Sequence, residues 1–282
     1  MQINSLDQIA AVSAKAVIPE QVVAYVTAVA ESKAYLFDTC LGYIWERQLV
    51  LIGYPLDDPF DLRAVDHALA LALETQGLQN ISVIGPVRPE KTPLEAVIRK
   101  DNFFGLPLPA PPRPKLVSLL RRAARELSLV HGRSLEKDHL ALVDYYLKKR
   151  DFKAGTRQIF ANLAGYIEAS KTSLVISARH ADGRLAAFGV GEYASKHTAM
   201  FMFCFRDPEK APPGSADLAL SGLIEEAQKR GHIRMNLGLG INDGIRFFKR
   251  KWGAKPFLPC IEVSWEVAKP RLLSHLHDFF LR

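Results

Sequence analysis

The chain has 282 residues, 48% hydrophobic and 24% charged, a balance that fits a folded globular protein and excludes a disordered one. No run reaches the roughly 18 apolar residues of a membrane span, and residues 1–7 lack the basic-then-apolar pattern of a leader. Cys40, Cys204 and Cys260 are too widely spaced for a disulfide framework or a zinc signature, so a cytoplasmic location is expected and no metal.

The net charge of +7 is uneven: the first 112 residues are acidic in balance, and the surplus of Lys and Arg begins at Arg113. Two readings stand, an anionic partner such as a phosphorylated donor or nucleic acid, and solvated helix faces.

Residues 8–32 carry an Ala/Val-rich helical pattern that Pro19 breaks or restarts. Aromatic and β-branched runs near 35–39, 42–46 and 48–54 predict strands. Asp57 to Asp61 reads as a turn. Residues 62–76 read as a helix with Val65, Leu69 and Leu73 on one face, stopped at Gly77. Residues 81–84 predict a buried strand and 94–100 a short helix. The Pro-rich stretch 105–114 suits neither helix nor central strand. It is the expected boundary between an N-terminal domain, 1–112, and a C-terminal domain, 113–282.

Beyond it a basic amphipathic helix starts near Lys115. Leu116, Leu119, Leu120, Ala123, Ala124 and Leu127 form its apolar stripe, with Arg121, Arg122 and Arg125 beside or opposite it. Helices follow over 135–150 and 156–168. Residues 173–179 and 184–192 predict a hairpin about Ala181-Asp182-Gly183. The apolar run 198–205 predicts a central strand, 207–215 a loop, and 215–230 a helix capped by Ser215 or Asp217 and closed by Gly231. A strand near 258–265 and a C-terminal helix ending in Phe279-Phe280-Leu281 complete the chain. Strand, loop, helix, strand occurs twice, over 43–85 and 184–240, a loose internal repeat that predicts two related domains.

The most informative stretch is 235–256: a strand, a Gly-rich turn, a short basic helix and a Gly-Ala-Lys-Pro exit. Asn242 or Asp243 can cap the helix, and Gly253 suits its left-handed end. At helical spacing Ile245, Phe248, Lys249 and Trp252 share one face. Three are apolar and the fourth is a lysine.

Asn236-Leu237-Gly238, Phe248-Lys249 and Trp252-Gly253-Ala254-Lys255-Pro256, with the upstream run Arg121 to Glu126, resemble the FemAB/FemX-like (BioF2-like) branch of the GNAT-fold acyltransferases. The resemblance implies an α/β (α+β) fold of two tandem GNAT-like domains, each a mixed, mostly antiparallel sheet flanked by helices, with the working site in the second. It implies transfer of an acyl or aminoacyl group from a thioester or ester donor, acyl-CoA or aminoacyl-tRNA, to an amine acceptor. No tightly bound cofactor is implied; acyl-CoA would be a donor substrate. Lys249 becomes the electrostatic element of acyl transfer, with Phe248 as packing partner. Asn236, Arg246, Arg121 and Arg122 become substrate-binding candidates, and Gly214 and Ser215 mark the place of the cofactor loop. That loop, 210–217, holds one glycine and two prolines, and prolines offer no N–H to a pyrophosphate, so it departs from the usual coenzyme A cradle.

Acyl transfer to an amine needs a proton acceptor, a polarised carbonyl and a protonated leaving group. Asp243, Glu192 and His197 are candidate bases, and Tyr193 a candidate acid for the leaving group. A backbone N–H at a splayed strand edge near 204–206 is a candidate oxyanion donor. Cys204 sits in an apolar strand and reads as core. His275 and His277, two apart on a helix, do not face each other. The alternative to an enzyme is a non-catalytic protein of this fold whose basic half holds an anionic ligand, nucleic acid or a membrane surface.

Overall fold

The computed structural model describes residues 1–57, 61–110 and 113–267. The Asp57–Asp61 turn falls largely outside them. The C-terminal helix, Phe279 to Leu281 and the two histidines fall wholly outside.

The chain opens with β1 (Gln2–Ile3), α1 (Leu6–Ser13), a 3-10 turn (Pro19–Gln21) and α2 (Val23–Ala30). Then come β2 (Lys33–Phe37), β3 (Cys40–Trp45), β4 (Gln48–Ile52), α3 (Arg63–Leu73), β5 (Asn80–Gly85) and β6 (Val97–Pro107). Next are α4 (Pro114–Ala123), β7 (Leu127–Gly132), α5 (Lys137–Lys149), α6 (Ala154–Ala161) and α7 (Leu163–Ala169). The remainder is β8 (Ser173–His180), β9 (Leu185–Glu192), β10 (Thr198–Arg206), α8 (Ser215–Lys229), β11 (Arg234–Leu239), α9 (Asp243–Trp252) and β12 (Lys255–Glu266).

Two compact units form, but not by division at the Pro-rich stretch. One comprises Met1–Gln2, Lys33–Lys100 and the described residues from Ile261. The other comprises Ile3–Ser32 and Asp101–Cys260. The expected boundary at 112 gives way for two reasons. First, β6 runs on through Gly105, Leu106 and Pro107, which pair with Asn236, Met235 and Arg234 of β11. Pro107 is the last residue of the strand, where a missing N–H costs least. Second, the N-terminal helices pack onto the second unit, where Val29 joins the core of Leu163, Tyr166 and Phe188.

In the first unit, β2, β3 and β4 form an antiparallel meander. Helix α3 then carries the chain across to β5, which lies parallel to β4, and Ile261–Glu266 of β12 pair antiparallel with β5. Val65, Ala68, Leu69 and Ala72 of α3 are buried with Leu49, Leu51, Ile81 and Val83, as helical period on one side and strand alternation on the other require.

The second unit repeats that plan. Strands β7 to β10 are successively antiparallel, α8 crosses over, and β11 lies parallel to β10. Each sheet is thus mostly antiparallel with one parallel, helix-linked pair. The internal repeat at 43–85 and 184–240 corresponds to those two crossovers. Strand β9 is buried along its whole length. One side packs Leu220, Leu223 and Ile224 of α8 with Leu174, Ile176 and Trp252. The other is an aromatic cluster of Tyr166, Phe188, Phe203 and Phe205 under α5 to α7.

Three local expectations change. Residues 94–100 are not helical; Val97 begins β6, which runs to Pro107. Leu127 is not the end of a helical stripe but the start of β7, paired with His180. Residues 156–168 form two helices that break at Asn162, whose side chain donates to the Val29 carbonyl.

Helix α8 is not capped by Ser215 or Asp217. Its N-cap is Gly214, at φ 89°, and Leu119 of α4 packs where a Cβ would stand. Ser215 Oγ donates to the Pro212 carbonyl. Asp217, buried in the first turn of α8, accepts from Lys251 Nζ at 2.7 Å and Trp252 Nε1 at 2.9 Å. It ties the start of α8 to the end of α9, and its charge suits the positive end of the helix. Asp217→Ala leaves a buried indole N–H and an ammonium without their acceptor. It should lower the unfolding free energy by roughly 2–4 kcal/mol in urea titrations, whereas Asp182→Ala, on the exposed hairpin turn, should change it by under about 0.5 kcal/mol.

Candidate active site

The site begins where two parallel strands part. β10 and β11 pair at Thr198↔Arg234, Ala199↔Met235 and Met200↔Asn236, where their register ends. At the same level β11 shifts register against β6 between Asn236 and Leu239. Gly238 there has φ 78°, which glycine adopts without strain. Such bulges bend a strand and re-aim its side chains. The gap opens a cavity of about 470 Å³. Its walls come from Phe201 to Cys204 of β10, Leu237 to Leu239 of β11, Ile245 and Phe248 of α9, Phe103 of β6, and Pro19, Glu20 and Tyr25 of the N-terminal arm. The strand splay thus starts at Met200, four residues before the edge expected near Cys204.

Lys249 lies in this cavity wall and is only 4% exposed. The expected face of α9 is real: Lys249 and Trp252 are buried, and Ile245 and Phe248 half-buried. Asn242 is the N-cap, its Oδ1 accepting from Ile245 N at 3.0 Å, and Gly253 ends the helix at φ 92°. Lys249 Nζ donates to the Leu239 carbonyl and lies 5.7 Å from the Phe104 ring centroid. A Cβ at Gly238 would stand 3.6 Å from it, so the missing side chain leaves it room. Burial pulls its pKa down to about 7, opposed by the negative charge of Asp101.

Asp101 was not foreseen. Its carboxylate accepts from Asn102 N at 2.7 Å, Ile241 N at 2.8 Å and Gly240 N at 3.2 Å. It holds the Gly-rich turn in place and supplies the negative charge nearest in effect to Lys249.

Asn236 is fully buried. Its Nδ2 donates to the Val17 carbonyl at 2.9 Å, and its Oδ1 accepts from Gly238 N at 2.8 Å. It therefore joins the bulge to the N-terminal arm and does not line the cavity. Gln21 completes the joint, accepting from Val17 N at 2.8 Å. Glu20, between these anchors, lines the cavity with its Oε2 sealed from solvent. Burial pushes its pKa up to about 7. Glu20 stands beside Gln21 between Ile18-Pro19 and Val22-Val23, and nothing local pointed it toward Lys249.

The other candidates lie elsewhere. Asp243 is exposed and paired with Arg246 at 2.8 Å, which holds its carboxyl below the usual range; neither residue lines the cavity. Tyr193 is buried under α8. Its hydroxyl donates to the Leu223 carbonyl at 3.0 Å, and burial raises its pKa, which leaves it no access to a leaving group in the cavity. Glu192 is buried and accepts from Tyr166 O–H, Ser170 O–H and two backbone N–H groups, so its lone pairs are already engaged. His197 is exposed outside the cavity. Cys204 does line it, and burial pushes its thiol up to about 12, a protonated apolar wall and not a nucleophile. Phe248 also lines it and stacks with Phe201 at 6.3 Å between centroids.

Arg121 and Arg122 of α4, and Arg125 just beyond its end, lie exposed. They line a separate depression of about 670 Å³ with Pro114, Val117 and Ser118. Four backbone N–H groups of the loop before α8 find acceptors within it. Glu209 N and Lys210 N donate to Asp207 Oδ1, Ala211 N to the Asp207 carbonyl, and Ser215 N to the Pro212 carbonyl. With Leu119 over Gly214 and Asp217 in the first turn, Gly214 and Ser215 offer no open cradle for a pyrophosphate. Among the described residues, Glu136, Asp138 and His139 converge, but Arg179 already bonds both carboxylates and Ser177 the imidazole.

The fold is that of the GNAT proteins. The chain is similar to the C-terminal domain of a putative lysylphosphatidylglycerol synthetase from Agrobacterium fabrum, at 16% identity and TM-score 0.60 over 92% of each chain. It is similar to FemX, at 10% identity and TM-score 0.59 over 95% of this chain and 97% of that one. It is also similar to a GCN5-related N-acetyltransferase from Kribbella flavida, at 13% identity and TM-score 0.51 over 90% and 95%. No protein-family model matches the sequence, and no curated protein matches it.

Lys249 makes stability depend on pH. Its proton affinity is lower in the folded chain than at the ordinary lysine value of 10.5. Between about pH 7 and 10.5 the unfolded chain therefore binds more protons, and this group makes stability rise with pH across that window. Lys249→Met should remove the rise. In urea titrations at pH 6.5 and 9.5 the wild type should gain stability relative to the variant, and a constant difference would contradict the burial of this charge.

Proposed function

We propose that the protein is an acyl- or aminoacyltransferase that moves an activated acyl group to an amine, with Lys249 as the electrostatic element. The observation that carries this reading is a buried ammonium in the wall of an apolar cavity, opened by the parting of β10 and β11. In such a site a fixed cation stabilises charge developing on a carbonyl oxygen far more than it could in water. The Phe248-Lys249 pair, part of the FemAB-like resemblance, is on the helix after the splayed strand, which supports this reading. The GNAT fold of the second unit and the structural likeness to FemX and the synthetase domain support the same class.

The closed loop before α8 favours an ester donor over coenzyme A. The exposed arginines of α4, Arg121 and Arg122, would meet the phosphates of a polyanionic donor such as an aminoacyl-tRNA. The same closed loop favours a second reading, a catalytically silent protein of this fold that holds an anion on that basic face.

Thermal melting with acetyl-CoA, a longer acyl-CoA and aminoacyl-tRNA separates the donors, because a ligand bound to the folded state raises the midpoint by mass action. A shift with aminoacyl-tRNA that Arg121→Ala/Arg122→Ala abolishes is expected. Donor turnover in the presence of mixed amines should fall by about 100-fold or more in Lys249→Met, with the fold intact by circular dichroism. Full turnover in that variant would sink the transferase reading, and binding without any turnover in the wild type would favour the silent protein. Because the cation must be protonated, the rate should fall as pH rises above about 7.

A further inference from the structure

The cavity beside Lys249 is apolar over most of its walls. Phe201 and Phe248 stack at one wall with centroids 6.3 Å apart. Tyr25 and Phe203 meet edge to face at another, 6.0 Å apart. Leu237 of β11 and Ile245 of α9 add aliphatic surface. The volume of about 470 Å³ falls in the range of sites that enclose a small organic ligand. An acetyl group would leave most of it to water, and apolar walls give water few partners.

The ionisable side chains in these walls are Lys249 on α9, Cys204 on β10, Tyr25 on α2 and Glu20 on the 3-10 turn. Burial raises Glu20 to about 7 and Cys204 to about 12, and it raises Tyr25 as well, which favours the uncharged form of each. Lys249 is the basic group of the set. Its ammonium has three N–H donors, and the Leu239 carbonyl is the acceptor described for one of them. Asp101 of β6 favours the charged form. An ammonium brought to this end of the cavity would face a like charge, which costs affinity. A carbonyl or carboxylate oxygen meets the complementary one.

We propose that this cavity seats the acyl group of the donor, carbonyl oxygen at Lys249 and body along the aromatic walls, and that the acyl group is therefore large and apolar. A fatty-acyl chain and an acyl group with a bulky apolar side chain share that chemistry. The assignment to a donor rests on the acyl-transfer reading; the binding of a free acid with the same body does not. Such an acid presents the same oxygen to Lys249. Because burial pulls the lysine down to about 7, a carboxylate arriving beside it at higher pH draws a proton onto the amine.

The test titrates octanoate, butanoate and 1-octanol calorimetrically into the full chain at pH 8, in two buffers of different ionisation enthalpy. Octanoate should bind about ten-fold tighter than 1-octanol, or more. It should gain about two- to four-fold over butanoate for each added methylene, and its binding should take up about one proton. Lys249→Met should abolish the proton uptake, weaken octanoate by about ten-fold or more and leave 1-octanol unchanged. No binding of octanoate, equal binding of octanoate and either other probe, or an unchanged octanoate affinity in Lys249→Met would each overturn the proposal. If that variant does not fold, the octanoate-to-octanol ratio and the proton uptake of the wild type still decide. 3-Phenylpropanoate separates the two kinds of body: tighter binding than octanoate selects the aryl side chain, and weaker binding the straight chain. Turnover of octanoyl-CoA against acetyl-CoA, and of phenylalanyl-tRNA against alanyl-tRNA, tests the donor. The larger group of the productive pair should react with a kcat/KM about ten-fold higher or more. A preference for the smaller group would keep acyl transfer and overturn the large apolar acyl group. Binding as expected with no turnover of any donor would discard acyl transfer and leave the cavity as a site for apolar carboxylates.

Discussion

The second unit depends on a strand pair that stops. β10 and β11 share three register positions and then separate at Met200 and Asn236. A parallel pair that ends inside a unit leaves backbone groups needing partners, and Asn236 meets part of that need. Its side chain satisfies the N–H of Gly238, which lies in the bulge, and the carbonyl of Val17, which lies in the arm. One buried amide thus sets where the strand turns away, where the cavity opens and where the N-terminal arm docks. Asp101 does the corresponding work on the far side of the turn, binding Gly240 and Ile241.

Around that opening the unit handles charge in two ways. Asp217 is buried with both oxygens engaged, by Lys251 and by Trp252. Its role is to join α8 and α9, and its position closes the helix end that could otherwise hold a phosphate. Lys249 is buried with a carbonyl as its hydrogen-bond acceptor, and Glu20 is set into an apolar wall. Burial drives the two toward pH 7 from opposite directions. Keeping either group charged in such surroundings costs stability.

Residues 235–256 were legible because every feature there is local. Capping by Asn242, the left-handed Gly253 and the shared face of Ile245, Phe248, Lys249 and Trp252 follow from spacing alone. The hairpin at 181–183 and the two helix-linked crossovers were legible for the same reason. Tyr193, Asp243 and Glu192 were chosen by residue type and nearness in sequence. The folded chain gives them other work: a bond to Leu223, an ion pair with Arg246, and a hydrogen-bonded seat under Tyr166 and Ser170. β7 and the Pro-rich end of β6 were missed because their strand character comes from partners far along the chain, His180 for Leu127 and the β11 edge for Gly105 to Pro107.

The sequence by itself determined the class of fold, the helix that carries Lys249 and the departure of the loop at 210–217 from the usual coenzyme A cradle. Period, capping residues and prolines act within a few positions of one another. Only the tertiary structure decided that residues 3–32 belong with the second unit, that Asn236 is a joint and not a ligand for substrate, and that Glu20 shares a cavity with a lysine 229 positions away. Those outcomes depend on which buried polar groups find partners once the sheet has formed, and no local pattern encodes that pairing.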